Sequence, residues 1–228
     1  MIINLPENQI TRVTDDIIII DDFMPEVLLQ IIDSIVYSHE WPWFYLEDTT
    51  YRSKHTNKNQ PSWDDGFSTL IYVHVFKDDP DNNTGKDFVF RSPFYEHFQS
   101  MFSHIEFTLG FPIDKLKRAK VNLSTTSISD EPFEPHIDVP RCDTWSGLLC
   151  LNDSDGPTVI YKNKCPNEIE EAKDALTWYR EHSDEFEIIA SVQPKRGRFV
   201  LFDGRYFHSG TRPMKHKNRL NVNFNWYK

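Results

Sequence analysis

The run Glu131-Pro132-Phe133-Glu134-Pro135-His136-Ile137-Asp138-Val139-Pro140 decides how this chain is read. His136 and Asp138 stand two residues apart, so on an extended strand both side chains leave the same face. An imidazole and a carboxylate on one face supply two ligands of a metal site. A third comes from Phe202-Asp203-Gly204-Arg205-Tyr206-Phe207-His208-Ser209-Gly210, through His208. Two His and one carboxylate cap one side of a metal and leave the other side open, a set that suits non-haem iron(II).

The chain holds a competing triplet, His182-Ser183-Asp184. It follows a helical run and lies too close to His208 for the strands of a barrel to fit between them. The first triplet is followed by about four strand-like runs before His208. His136, Asp138 and His208 are therefore taken as the metal ligands.

Four segments extend the argument: FEPHID at 133–138, GPTVIY at 156–161, GRFVLFDGRYFHSG at 197–210 and RLNVNFNW at 219–226. Together they resemble the Fe(II)/2-oxoglutarate-dependent oxygenases, in particular the prolyl-4-hydroxylase-like branch. The resemblance covers the chain from about residue 118 onward and touches the N-terminal half only in general style. It implies Fe(II), 2-oxoglutarate and O2, with ascorbate as an auxiliary. The implied reaction couples decarboxylation of 2-oxoglutarate to succinate and CO2 with hydroxylation of a C–H bond. It implies a prolyl side chain in a peptide or protein as the first substrate, with a free amino acid or other small metabolite second; a nucleobase comes third because of the net charge of −10.

In that family a basic residue about one strand past the distal His binds the far carboxylate of 2-oxoglutarate. Arg219 lies 219 − 208 = 11 residues past His208 and opens the last strand. A guanidinium is always charged and offers a planar fork to a carboxylate. Arg212 competes, but it is only four residues past His208 and precedes Pro213, in a loop. The family adds a hydroxyl beside the basic residue, and the branch often places a Tyr on the strand that here reads Leu148-Leu149-Cys150. Cys150 occupies that place, so Asn122, Ser124 and Tyr161 are the remaining candidates for cosubstrate contact.

The 228 residues suit one domain, with 1–115 as N-terminal support and 116–228 as catalytic core. Helical runs followed by many short strands predict a mainly β chain with flanking helices (α+β), a double-stranded β-helix of jelly-roll, cupin-like form. A net charge of −10 disfavours a phosphate-tracking nucleic-acid surface. Residues 1–7 carry no basic, long apolar leader, and no apolar run is long enough to span a bilayer. Cys142, Cys150 and Cys165 have no metal-binding spacing, and their odd number fits reduced thiols in the cytoplasm. The expected partner is a small molecule or a peptide or protein substrate.

Elsewhere the pattern is ordinary. Ile17 to Ile20 reads as a buried strand, and Val27, Leu28, Ile31, Ile32 and Ile35 as a helix stripe after Pro25. The aromatic run at 41–45 is expected to be buried, with a substrate platform as its functional alternative. Residues 49–66 read as a long polar loop of the kind that forms lids. Residues 78–86 read as a solvated turn, since a calcium loop would need a distal Glu. Ser92-Pro93 starts a second helix, with Phe94, Phe98, Met101, Phe102 and Ile105 inward; His97 and His104 ride on it. Residues 167–181 form an acidic helical insertion. On the last strand Arg219, Asn221, Asn223 and Asn225 share one face, expected to look into the metal cavity and to orient a polar substrate. Two other readings stand beside these: a cupin-like metalloenzyme that does not use 2-oxoglutarate, which Arg219 argues against, and an inactive binding module of the same fold, which an intact triad argues against.

Overall fold

The computed structural model describes residues 5–46, 66–79, 82, 84–129, 131–139, 143–169 and 172–228. The expected lid at 49–66, apart from Gly66, and Cys142 lie outside the described residues, as do residues 170–171 of the expected 167–181 helix, whose residues 167–169 are not helical.

The described chain is mainly β, with three α-helices: α1 (Glu26–Val36), α2 (Tyr95–Leu109) and α3 (Ala172–Glu181). The strands are β1 (Ile10–Thr14), β2 (Ile17–Ile20), β3 (Phe44–Leu46), β4 (Gly66–Val75), β5 (Phe88–Arg91), β6 (Leu116–Thr125), β7 (Thr144–Cys150), β8 (Thr158–Lys164), β9 (Ile188–Val192), β10 (Phe199–Asp203), β11 (Tyr206–Gly210) and β12 (Asn218–Tyr227). A large sheet runs β1-β2-β10-β7-β12-β6-β4-β3, with β5 added on β4, and a small sheet runs β11-β8-β9. Every pairing is antiparallel. Two antiparallel sheets with sequence-distant neighbours are consistent with a jelly roll.

β12 is the centre of the large sheet, paired with β6 on one side and β7 on the other. Its alternation puts Leu220, Val222, Phe224 and Trp226 into the main core, where they meet Phe98, Phe102 and Ile105 of α2 and Leu29, Ile32 and Val36 of α1. Truncating one such ring, Phe102 or Phe224, would cost about 3–5 kcal/mol. The other face of β12 is also buried, which leaves its polar side chains inside the molecule.

Several expectations need correcting. The inward stripe of α1 is Leu29, Ile32 and Val36, while Val27 and Ile31 are exposed. The helix carries more apolar residues than one face can bury, and packing into the core it shares with α2 selects the phase. In the 41–45 run Trp41 is buried against Phe94 and Phe98, but Phe44 and Tyr45 are exposed on an edge strand. The 78–86 turn is not wholly solvated: Asp79 is buried and ion-paired to Lys117 at 2.5 Å. Asn82 donates to the Phe76 and Lys86 carbonyls and accepts from Thr84. α2 buries Phe98, Met101, Phe102 and Ile105 of the expected stripe, but it begins at Tyr95 and not at Ser92-Pro93, so Phe94 is its half-buried N-cap residue; it ends at Gly110, whose φ of +70° is the left-handed conformation that glycine adopts at least cost. β1, β3 and β5 are short or exposed strands that the periodicity did not reveal.

Candidate metal centre and its cavity

His136 and Asp138 sit on a segment that is extended but is not a full strand. It is held beside β11 by two isolated bridges, Pro132 with Thr211 and His136 with His208. His136 and His208 exchange both backbone hydrogen bonds, each 3.0 Å, so their side chains leave one face as directly opposed neighbours. Ile137, between the two ligands, turns the other way into a cluster with Phe207 and Ala175 of α3. Arg180 of α3 grips Glu134 through Nε at 2.7 Å and Nη2 at 3.1 Å. Backbone on one side and a salt bridge on the other thus fix the triplet's orientation.

The candidate ligand atoms of His136, Asp138 and His208 all lie within 4.8 Å of one another. No other such group of His, Cys, Asp or Glu occurs among the described residues. The competing triplet is explained structurally: His182 closes α3, with its Nδ1 2.8 Å from the Trp178 carbonyl and its ring stacked on Trp178. His104 likewise contacts the Phe23 carbonyl through Nε2 at 2.8 Å.

Both metal-site rings are oriented by backbone carbonyls, His136 Nδ1 by Glu134 at 3.3 Å and His208 Nδ1 by Tyr206 at 3.0 Å. A carbonyl only accepts, so each Nδ1 carries the proton and each Nε2 keeps its lone pair for a metal. Burial, together with His208 and Lys120, lowers the His136 imidazole to about 3, so it is neutral at physiological pH. Burial works to raise the Asp138 carboxyl, but His208, Arg118, Lys120 and His136 outweigh it and hold it well below the usual carboxylate range.

Asp138 is the most supported side chain of the site. Its Oδ1 accepts from Arg118 Nη2 at 3.1 Å; its Oδ2 accepts from Asn223 at 3.1 Å, Asn225 at 3.0 Å and Ser146 at 3.3 Å. Asn225 in turn donates to Ser146 and accepts from Arg118 Nε. This revises the expectation for the last strand. Asn225 is fully buried and holds the carboxylate, so it orients Asp138 and not a substrate. Asn223 does the same with its amide N–H but keeps a face on the cavity. Arg118 and Ser146 are missed by linear reading, because they reach Asp138 from β6 and β7.

The cavity beside the triad is lined by Lys120, Asn122 and Ser124 of β6, by Arg219, Asn221 and Asn223 of β12, by Thr158 of β8, and by Phe67, Phe133 and Leu148. Arg219 is 6 % exposed. Its one side-chain hydrogen bond among the described residues runs from Nη2 to the Thr158 hydroxyl at 2.7 Å, and its Nε has none. Burial pulls the guanidinium below its ordinary value, and no carboxylate pairs with it among the described residues. Gly210 makes room for it: a Cβ there would lie 3.0 Å from Arg219 Nη1. Arg212, the rival basic residue, does not line this cavity.

The remaining candidates divide. Asn122 and Ser124 line the cavity, and Ser124 is the register partner of Arg219. Tyr161 does not. It shares the outer face of β8 with Val159, packed with Phe207 and Ala175, whereas Thr158 faces inward. Odd and even positions of β8 point to opposite faces, and α3 covers the odd one. The hydroxyl beside Arg219 is therefore that of Thr158. Cys150 is buried opposite Asn221, and burial raises its thiol.

Comparison with known proteins comes after this geometry. No protein-family model matches the chain, and no curated relative does. Solved structures do share its fold. A 2OG-Fe(II) oxygenase family oxidoreductase from Burkholderia pseudomallei matches with TM-score 0.57 at 13% identity, over 93% of this chain and 85% of its own. The non-haem alpha-ketoglutarate-dependent epimerase SnoN of nogalamycin biosynthesis matches with TM-score 0.55 at 13% identity, over 97% and 78%. A Trichoplax adhaerens prolyl hydroxylase, solved with a hypoxia-inducible-factor peptide, matches with TM-score 0.50 at 14% identity, over 94% and 84%.

Proposed function

We propose that this chain is an iron(II)- and 2-oxoglutarate-dependent oxygenase that hydroxylates a C–H bond of a peptidyl or amino-acid-like substrate. One observation carries the reading: Arg219, a buried cation without an acid partner among the described residues, faces the same cavity as the His136–Asp138–His208 triad. A buried charge without a partner is costly, and a dicarboxylate anchored between a metal and Arg219 would supply the missing countercharge. The shared fold supports the superfamily, and the motif resemblance supports the hydroxylase outcome. A cupin-like metalloenzyme without 2-oxoglutarate would have no use for Arg219.

The residues fit both groups. His136 Nε2, His208 Nε2 and an Asp138 oxygen would hold the metal, and Arg219 with Thr158 would hold the distal carboxylate of the cosubstrate. Bound there, Fe(II) and 2-oxoglutarate would supply oxidising power from O2, with release of succinate and CO2. The chain's own contribution is orientation and charge. Asp138 stays ionised because His208, Arg118 and Lys120 outweigh its burial, and the donors Arg118, Asn223, Asn225 and Ser146 fix its orientation. The two imidazoles present their Nε2 lone pairs because each Nδ1–H donates to a backbone carbonyl. Phe67, Phe133 and Leu148 exclude water from part of the cavity wall.

The test is succinate formation from 2-oxoglutarate with and without added Fe(II). Wild type should form succinate only with iron. His136→Ala and His208→Ala should abolish it, while His182→Ala should retain it. Succinate formation that ignores iron, or that depends on His182 and not on His136, refutes the proposal.

A further inference from the structure

Lys120 enters the cavity from β6 and is, after Arg219, its second cation without an acid partner among the described residues. Among the described residues its ammonium makes no hydrogen bond and no ion pair, although Asp138 and His136 are near enough to feel its charge. Its cross-strand neighbour in the β6–β12 register is Asn223. Directly paired residues in an antiparallel sheet point to the same face, so the two present their polar ends side by side. Asn223 spends its amide N–H on the Asp138 carboxylate, which fixes the orientation of the amide. Its carbonyl Oδ1 is buried and has no partner.

The charge of the loaded site sharpens this. A divalent metal and Arg219 would be balanced by Asp138 and the two carboxylates of 2-oxoglutarate. The charges of Lys120 and Arg118 then remain, and Arg118 is already engaged with Asp138 and Asn225. Lys120 is left as surplus positive charge inside a chain whose overall charge is −10. An apolar wall of Phe67, Leu123, Phe133 and Leu148 stands around it.

Building on the function proposed above, we infer that the substrate is a small carboxylic acid bearing an adjacent N–H or O–H donor, an amino acid or 2-hydroxy acid. Lys120 holds its carboxylate and Asn223 Oδ1 accepts from the neighbouring donor. A cation takes an anion here for the same reason it is costly without one: low local polarity strengthens the pair. An internal prolyl residue of a peptide offers neither a carboxylate nor an N–H and would leave Lys120 unpaired.

The experiment uses protein loaded with Mn(II) and 2-oxoglutarate under nitrogen, which forms the complex without turnover. The probes are the common amino acids and their 2-hydroxy analogues, each set beside its carboxamide, with binding read by calorimetry. At least one acid should bind wild type, and its carboxamide should bind at least tenfold more weakly. Lys120→Met should lose tenfold or more for that acid, and Lys120→Arg should keep most of the affinity. Lys120→Arg, which keeps the charge, should bind Mn(II) and 2-oxoglutarate within about twofold of wild type, and Lys120→Met should still take up both, which separates substrate recognition from misfolding. The inference is overturned if carboxamides bind as well as acids, if Lys120→Met binds acids normally, or if no acid binds a wild type that has taken up both Mn(II) and 2-oxoglutarate. Loss of 2-oxoglutarate affinity in Lys120→Met would assign the lysine to the cosubstrate and also overturn it. A wild type that binds neither Mn(II) nor 2-oxoglutarate would instead fail the oxygenase reading itself, and this inference with it.

Discussion

Replacing Arg219 with methionine should move stability and binding in opposite directions. The guanidinium is 6 % exposed, has one neutral acceptor at 2.7 Å and leaves Nε without a partner. Exchanging buried charge for an apolar side chain of similar length is commonly neutral or stabilising by about 1–4 kcal/mol. Loss of the Thr158 hydrogen bond offsets about 1 kcal/mol of that. The metal-free protein should therefore be equally stable or up to about 3 kcal/mol more stable, read from urea unfolding midpoints at constant slope. Cosubstrate binding should suffer, because the carboxylate loses its charged partner in a buried site, at a cost of about 2–5 kcal/mol. That corresponds to roughly 30- to 5,000-fold in the dissociation constant. Calorimetric titration of 2-oxoglutarate into Mn(II)-loaded Arg219→Met checks it, with Mn(II) affinity as the internal control. A variant that is clearly destabilised yet binds 2-oxoglutarate like wild type would show a structural arginine and refute the reasoning.

Asn225→Leu should weaken Mn(II) binding about 10–100-fold, since it removes a donor that orients the ligand carboxylate. It should also cost about 2–4 kcal/mol of stability by stranding Arg118 and Asp138; a Mn(II) titration and a melting curve read the two effects. A separate prediction concerns acid. Burial works to raise the carboxyls of Asp16 and Asp203, but hydrogen bonds outweigh it, those from Lys164 among them, and both lie below the ordinary aspartate value of 3.8. Depressed carboxyls contribute stability that is fully present above pH 3.8 and is lost as pH falls through their folded values. The gap in urea midpoint between wild type and Lys164→Met should thus be constant from pH 7 to about 5 and shrink below about pH 4. A gap that widens in acid would reverse the assigned sign.

Part of this protein is written in short-range spacing. His136 and Asp138 share a face because they are two apart on an extended segment, and Arg219, Asn221 and Asn223 share one on β12 for the same reason. Spacing also gives the apolar alternation of Leu220 to Trp226 and the stripe of α2, which local backbone geometry imposes before any tertiary contact forms. Tertiary structure decided the rest. Arg118 and Ser146 reach Asp138 from β6 and β7, and Thr158 reaches Arg219 from the other sheet. Lys120 meets Asn223 only through the register of strands about a hundred residues apart. The exclusion of Tyr161 follows from α3 covering one face of β8, and the exposure of Val27 and Ile31 from α1 packing into the core it shares with α2. In each case the sequence offers two faces with comparable chemistry. Which one turns inward is fixed by packing against a distant element, and a local periodicity carries no information about that partner.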